Sequence, residues 1–362
     1  MRLANSQNFR FAVISNLNLQ FGSISTSTSI PISTINDVRS TTLDPSQIDI
    51  DVSLSTSCEC FKYELYRRYL DTQQERHAQS YCSKEANLYG PYTRVISFTL
   101  FQSNSTEELA WEKGEAKHWE RALNENLERM RKYFPGWIMR VYSNLGENEF
   151  VCKLRCNNVD FFWCDIKNIP KYGDLSMVME ARSWSFLPLG DPTVDVFLAR
   201  NLDSVLLARD AAAVQDWLKN TTKPFHAFRD HPFHADRVLG GLWGGRNNLL
   251  RRNNETELFR LHKMVVNQTY LTLQEKSKVA DQTGFTSFFL PLLAEENLVV
   301  CYDAFYCDLW RNVTLTRPFP TERNGTEFLG DVVLWGESGF GEQLTECPLS
   351  CRPEYGKSWK LC

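Results

Sequence analysis

VDVFLARNLDS, residues 194–204, decides the fold. It is an apolar, β-branched run that stops abruptly at Asn201-Leu202-Asp203. Strands covered on both faces read as continuous runs of this type, so 194–200 is expected to be a central strand of a mostly parallel sheet. Two oxygen-bearing side chains two residues apart, at the C-terminal end of such a strand, can reach one cation together. Hard cations such as Mg²⁺ or Mn²⁺ take ligands of that kind and share them with phosphate. Open α/β sheets bind their ligands at this edge. The plain alternative is a strand that runs into an Asx-type turn, since N-x-D is a short pattern.

The flanking sequence alternates in the same sense. RVISFTLF (94–101) reads as a strand; Ser105 or Thr106 then caps a helix, with Glu107 and Glu108 in its first turn. Ala116, Trp119, Leu123, Leu127 and Met130 recur at helical spacing until Pro135-Gly136. WIMRVY (137–142) and VDFFWCDI (159–166) are further strands, and DLSMVMEARSWSFLPL (174–189) is expected to be a helix feeding 194–200. Leu207, Ala211, Val214, Trp217 and Leu218 mark another helix, PFHAFRD (224–230) another strand, and VVCYDAFYC (299–307) a last one. The expectation is an α/β fold with helices on both faces of the sheet. Residues 1–55, rich in Ser, Thr, Asn and Asp, read as a disordered stem, and 56–92 as a cysteine-containing lead-in. The α/β domain is expected over 93–335, and a cysteine-rich tail over 336–362.

A net charge of −4 argues against a nucleic-acid groove. No run of 18 apolar residues is present to span a bilayer. The chain has 11 cysteines, none in a CxxC pair, which weakens zinc-ribbon and thioredoxin readings. N-x-S/T sequons stand at Asn104, Asn220, Asn254, Asn267, Asn312 and Asn324, where composition alone gives about three. Cysteines and sequons together favour an oxidising, glycosylating compartment, the secretory lumen (the Golgi) or the cell exterior. FAVISNLNLQF near the start is too interrupted for a signal core, so either a membrane anchor or signal precedes this sequence or the lumenal reading fails. Local bridges Cys301–Cys307, and Cys152 with Cys156 or Cys164, are expected, and the odd count leaves one thiol over.

Other residues of chemical character cluster in FHAFRDHPFHADRVLGGLWGG, 225–245. His226, Arg229, Asp230, His231 and His234 make either a polar wall beside a ligand or a turn-rich connector; their spacing fits no common zinc pattern. Gly240, Gly241, Gly244 and Gly245 would let the backbone approach a ligand closely. Asp281-Gln282 opens an apolar segment, as an N-cap or as a carboxylate facing an acceptor hydroxyl. Asp303 closes the 299–303 strand, and Arg182 precedes the central strand, where it could pair with phosphate or with Asp203. GESGFG is not a dinucleotide fingerprint, and there is no P-loop, GxSxG elbow or HExxH.

In their order these pieces resemble the GT-A-type nucleotide-diphospho-sugar transferases, over roughly 93–332. The likeness is carried by VISFTLF, YFPGWIMRVY (133–142), the Arg-bearing segment, the 200–204 strand end, FHAFRDHPFH, GGLWGG, Asp281-Gln282, the 302–307 element and RPFPTER (317–323). The resemblance implies a glycosyltransferase (a hexosyl- or related transferase) that moves a sugar from a nucleotide-diphosphate donor to a hydroxyl of a glycan or protein. Asn201 and Asp203 would hold Mn²⁺ or Mg²⁺. Arg182, Arg200, Gly240, Gly241 and Gln282 would bind the donor, and Asp281 or Asp303 would be the general base of an inverting reaction. Two departures stand out. The family's R-D-x-D-S reads Arg200-Asn201-Leu202-Asp203-Ser204, and its HDSY-x-C reads Tyr302-Asp303-Ala304-Phe305-Tyr306-Cys307. One charge and one imidazole are lost, so weakened cation affinity is expected. The alternatives are a GT-A-like protein that binds sugar nucleotide or glycan without turnover, and a disulfide-linked extracellular interaction protein.

Overall fold

A computed structural model of the chain describes residues 58, 79–102, 116–235, 238–266, 298–309, 315–332 and 344–362. All belong to one compact unit, Ser55–Cys362. The 1–55 stretch and Asp281-Gln282 lie outside the described residues.

Among the described residues eight strands form one sheet in the order β3-β2-β1-β4-β6-β5-β7-β8. They are β1 Thr93–Leu100, β2 Ile138–Ser143, β3 Phe161–Asp165, β4 Val194–Arg200, β5 Phe225–Arg229, β6 Leu242–Arg246, β7 Val299–Asp303 and β8 Leu315–Arg317. Every pairing is parallel except those of β6, which runs antiparallel to both β4 and β5. The fold is therefore α/β and mostly parallel, as the alternation of the sequence predicts.

Side chains alternate across the strands into two apolar layers. Val194, Phe197 and Ala199 of β4 enter one, with Leu250, Leu258, Leu261 and Val265 of α5 (Asn247–Val266). Val196 and Leu198 enter the other, with Leu123, Leu127 and Met130 of α2 (Ala116–Tyr133) and Val214 and Trp217 of α4 (Ala208–Asn220). Helix α3 (Glu149–Asn157) joins this second layer through Val151 and Leu154, and α1 (Lys84–Tyr89) joins the first through Ala86. Helices thus cover both faces, which is why β4 is apolar from Val196 to Ala199.

Two local expectations are corrected. Residues 174–189 do not form an α-helix; after a run of turns only Ala181–Phe186 is helical, as a 3₁₀ segment. Asp174 accepts from the Ser176 amide and hydroxyl, and Glu180 accepts from the Arg182 amide, so both acids close turns. The apolar residues Leu175, Met179, Trp184, Phe186 and Leu187 are buried without a helical stripe. The second concerns Gly244 and Gly245, expected to bring backbone close to a ligand; they lie inside strand β6. Its glycines are wedged between neighbours. A Cβ on Gly244 would stand 2.4 Å from the Phe197 carbonyl oxygen and 2.6 Å from His226 Cε1, and one on Gly245 would stand 2.6 Å from the Phe197 ring. The close approach of backbone to aromatic rings selects glycine over β-formers here.

The disulfides are long-range. Cys58–Cys152, Cys82–Cys164, Cys307–Cys351 and Cys347–Cys362 are formed, and Cys156 is bonded too. The expected local bridges of Cys301 with Cys307 and within 152–164 do not occur. Cys301 is a buried free thiol on β7, facing the first apolar layer, away from any partner sulfur. The 79–92 segment is held by more than sulfur. Buried Asp191 accepts from the Tyr81 amide (2.8 Å), the Ser80 hydroxyl (3.1 Å) and Arg140 Nη1 (2.7 Å). Among the described residues no helix is long and apolar enough to cross a membrane.

Candidate functional site

The strand order reverses direction between β1 and β4: the chain steps from β1 outward to β2 and β3, then returns to the other side of β1 as β4. Parallel strands that part in this way leave a crevice at their C-terminal ends, where open α/β sheets bind ligands. Asn201 follows β4 at this point, exposed, with Leu202 buried beneath it and Asp203 half-buried. A turn closed by the Ser204 amide on the Asn201 carbonyl (3.4 Å) brings Asp203 round.

Asn126, fully buried on α2, fixes that turn. Its Nδ2 donates to the carbonyls of Leu202 (3.3 Å) and Ser204 (2.9 Å), and its Oδ1 accepts from the Leu206 amide (3.0 Å). One amide thereby satisfies three backbone groups that leave the sheet at Arg200. Sequence reading missed Asn126; a buried Asn inside an amphipathic helix was the only signal available.

A small hollow, open to solvent and with room for about one water molecule, lies beside Asn201. It is lined by Arg200, Asn201, Ser204, Gly241, Leu242 and Gly330, among others. Gly241 lies tight against the Asn201 side chain: a Cβ on it would stand 2.2 Å from Asn201 Oδ1 and 2.3 Å from Cγ. The Asn201 amide is seated directly on bare backbone. Gly240, also buried, precedes it in the turn into β6.

Arg182 sits at the same edge, with its guanidinium 5.4 Å from the centre of the Phe101 ring, just past the end of β1. It pairs with Glu180 at 3.0 Å. Arg200, expected to bind a donor, is instead buried and committed. Nε and Nη2 bond Asp210 at 2.8 and 2.9 Å, and Nη1 donates to the Ala199 and Trp243 carbonyls. It forms the wall of the hollow and anchors β4 to α4 and β6.

Asp303 is likewise not placed as a general base. It is fully buried, paired with Arg229 Nε at 2.8 Å, and its Oδ1 accepts from the amides of Phe305 and Tyr306. Tyr302 does not stand where a metal ligand would. It is buried on β7 with its hydroxyl donated to Asp216 of α4 (2.5 Å). Burial first, then the Asp216 carboxylate, push its pKa up, so it stays a neutral phenol.

The 226–234 cluster divides among separate tasks. His226 is fully buried, and burial, reinforced by Arg200, drives its pKa down, so it is neutral. Asp230 accepts from both Arg209 (3.0 Å) and Arg323 (2.7 Å), and also from the Leu329 amide (3.0 Å). This knot carries the loop that brings Leu329 and Gly330 to the hollow. The imidazole of His234 lies near Gly330, with its pKa lowered to about 4, chiefly by burial. Among the described residues no trio of metal-ligating atoms includes a histidine. Two trios do come together, Cys58/Glu147/Cys152 and Asp303/Cys307/Cys351, but in each the sulfurs form a disulfide and offer no thiolate.

The oxygen donors at the switch point are one amide (Asn201) and one carboxylate (Asp203). Hard cations accept such a set when a ligand's phosphates complete the coordination. The residues therefore fit a weakly held divalent cation and do not fit a closed, protein-only metal cage.

No protein-family model matches the chain, and no curated protein matches it. Solved glycosyltransferases are similar to it in fold. The galactosyltransferase LgtC, in complex with donor and acceptor sugar analogs, matches 71% of this chain and 98% of its own at 13% identity, with a TM-score of 0.36. A glycosyltransferase involved in glycosylation of the major capsid of PBCV-1 matches 62% of this chain and 89% of its own at 12% identity and a TM-score of 0.33. The apo-form glycosyltransferase GlyE of Streptococcus pneumoniae TIGR4 matches 55% of this chain at 13% identity and a TM-score of 0.34. The chain spans 44% of the GlyE structure's length. Likenesses this low say nothing about donor, acceptor or activity.

Proposed function

We propose that this protein is a GT-A-like glycosyltransferase, moving a sugar from a nucleotide-diphosphate donor to a hydroxyl of a glycan or protein acceptor. The observation that carries the reading is the position of Asn201 and Asp203. They stand just past the C-terminal end of β4, beside the strand-order reversal, with Asn201 over a bare Gly241. Hard oxygen donors at a switch point suit a diphosphate with its cation.

Asp203 and Asn201 would hold Mn²⁺ or Mg²⁺ through their side-chain oxygens. A cation bound there would offset charge on the departing diphosphate. Arg182 supplies a positive charge at the same edge. Gly241 admits the Asn201 amide close to the backbone, and with Gly240 it would line the donor site, while Arg200 and Asn126 hold the strand end and its turn in place. With Asp303 closed off by Arg229, the acceptor-facing base falls to Asp281, and Gln282 beside it would contact the donor. The compartment in this reading is the secretory lumen or cell exterior.

A second reading, a sugar-nucleotide binder without turnover, is favoured by the single carboxylate at the strand end. Release of nucleoside diphosphate from a panel of UDP- and GDP-sugars, with glycan acceptors and Mn²⁺, tests the first reading. Acceptor-dependent release that is lost in Asp203→Ala supports it. Donor binding with no release under any acceptor leaves only the binder.

A further inference from the structure

Three of the six sequons fall on described residues, and all three asparagines are exposed: Asn220, Asn254 and Asn324. They do not share one side of the molecule. Helix α4 leaves the C-terminal end of β4 and returns across the sheet, so Asn220, its last residue, stands just before β5 begins at Phe225. That is the edge where the parallel strands start. Helix α5 lies along the same edge. Asn247 donates to the Pro188 and Val194 carbonyls, and Arg251 to Val194 and Asp195, all at or before the start of β4. Asn254 follows Arg251 by about one helical turn. Asn324 lies instead in the loop that Asp230 holds toward the hollow.

Local geometry suits Asn254 best. Its backbone breaks α5 (φ −161°, ψ 81°), and its Oδ1 accepts from the Glu257 amide at 3.0 Å, capping the second half of the helix. The cap uses only the oxygen; Nδ2 makes no hydrogen bond among the described residues. In Asn220, Nδ2 donates one hydrogen to Asp216 (2.7 Å) and has a second to give up.

We infer that Asn220 and Asn254 are N-glycosylated, that they place oligosaccharide on the edge opposite the Asn201–Asp203 crevice, and that Asn324 stays bare. In the reaction Nδ2 attacks the anomeric carbon of a lipid-diphosphate-linked oligosaccharide. The N–C bond forms, the C–O bond to the diphosphate breaks, and the lipid diphosphate leaves with the electron pair. One Nδ2 proton goes to a base of the modifying enzyme. Thr222 and Thr256 supply the hydroxyl that each sequon needs. The modification and the observed disulfides belong to the same oxidising compartment. On Asn324 a bulky glycan would crowd the loop that presents Leu329 and Gly330 to the hollow.

The test is peptide mapping of the protein purified from the cells that make it. Glycans are released enzymatically in heavy-oxygen water, so each occupied Asn is marked as labelled Asp. Label at Asn220 and Asn254 and none at Asn324 is the expected result. Unlabelled Asn254 or Asn220, or label at Asn324, overturns the one-sided arrangement. In secreted full chain, Asn254→Gln and, separately, Thr256→Ala must each remove one glycan. Thr256→Ala leaves the Asn254 cap intact, so loss in Asn254→Gln alone would indicate misfolding and count against the assignment.

Discussion

Replacing Gly241 by Ala tests the site's construction without any ligand. The added Cβ would stand 2.2 Å from Asn201 Oδ1, 2.3 Å from Cγ and 2.6 Å from Nδ2. Carbon contacts are comfortable near about 3.5 Å, so the Asn201 side chain must retreat by roughly 1 Å or more. It is exposed and can rotate, so the cost is that of an unfavourable rotamer and lost packing, about 1 kcal/mol. In an Asn201→Ala background the obstructing amide is gone, and the cost should shrink toward zero. The expected coupling between the two substitutions is therefore about 1 kcal/mol, read by urea denaturation of wild type, both single variants and the double. If Gly241→Ala destabilises both backgrounds equally, Asn201 does not rest on Gly241 and the crevice is built differently.

Asp230→Ala should cost about 3–5 kcal/mol in the same assay, since it leaves the buried Arg209 and Arg323 guanidinium groups without their carboxylate; a loss under about 1 kcal/mol would refute the knot. His262 gives a pH signature. Burial lowers its folded pKa from 6.5 to about 4, so between those values the unfolded chain binds a proton that the folded chain refuses. Stability from this residue is complete above pH 6.5 and falls by about 3 kcal/mol as pH drops toward 4. A denaturation series across that window should be shallower in His262→Gln, with buried His226 and His234 supplying the remaining slope; an unchanged slope would contradict the burial argument. Asn201→Asp alone should tighten Mn²⁺ binding measured by calorimetry in the presence of a nucleotide diphosphate. Adding Tyr302→His should not tighten it further, because that side chain points at Asp216, and a further gain would show that Tyr302 faces the metal after all.

The sheet was legible where burial makes its own pattern. A strand covered on both faces is predominantly apolar, so β4, with its Val196–Ala199 run and abrupt polar end, could be read directly. Strand β6 could not, because its glycines record contacts with Phe197, Phe225 and His226, which only the fold brings near. Segment 174–189 misled because its apolar residues are buried among turns closed by Asp174 and Glu180. Strand-end residues were placed correctly by position, but their engagement depended on distant partners. Asp303 looks the same in sequence whether free or paired, and Arg229 is 74 residues away. The Cys58–Cys152 and Cys82–Cys164 bridges span 94 and 82 residues, beyond the reach of any local spacing rule.

The most direct measurement is thermal shift of the full chain against a panel of nucleotide-diphosphate sugars, with Mn²⁺ and in chelator, for wild type and Asp203→Ala. A ligand that binds only the folded state stabilises it by about 2.7 kcal/mol at 100 times its Kd. The account predicts that at least one nucleotide-diphosphate sugar raises the wild-type Tm, more with Mn²⁺ than in chelator, and that Asp203→Ala loses most of the rise. No stabilisation by any donor, or an equal rise in wild type and Asp203→Ala under both conditions, would mean that Asn201-Leu202-Asp203 is only a turn.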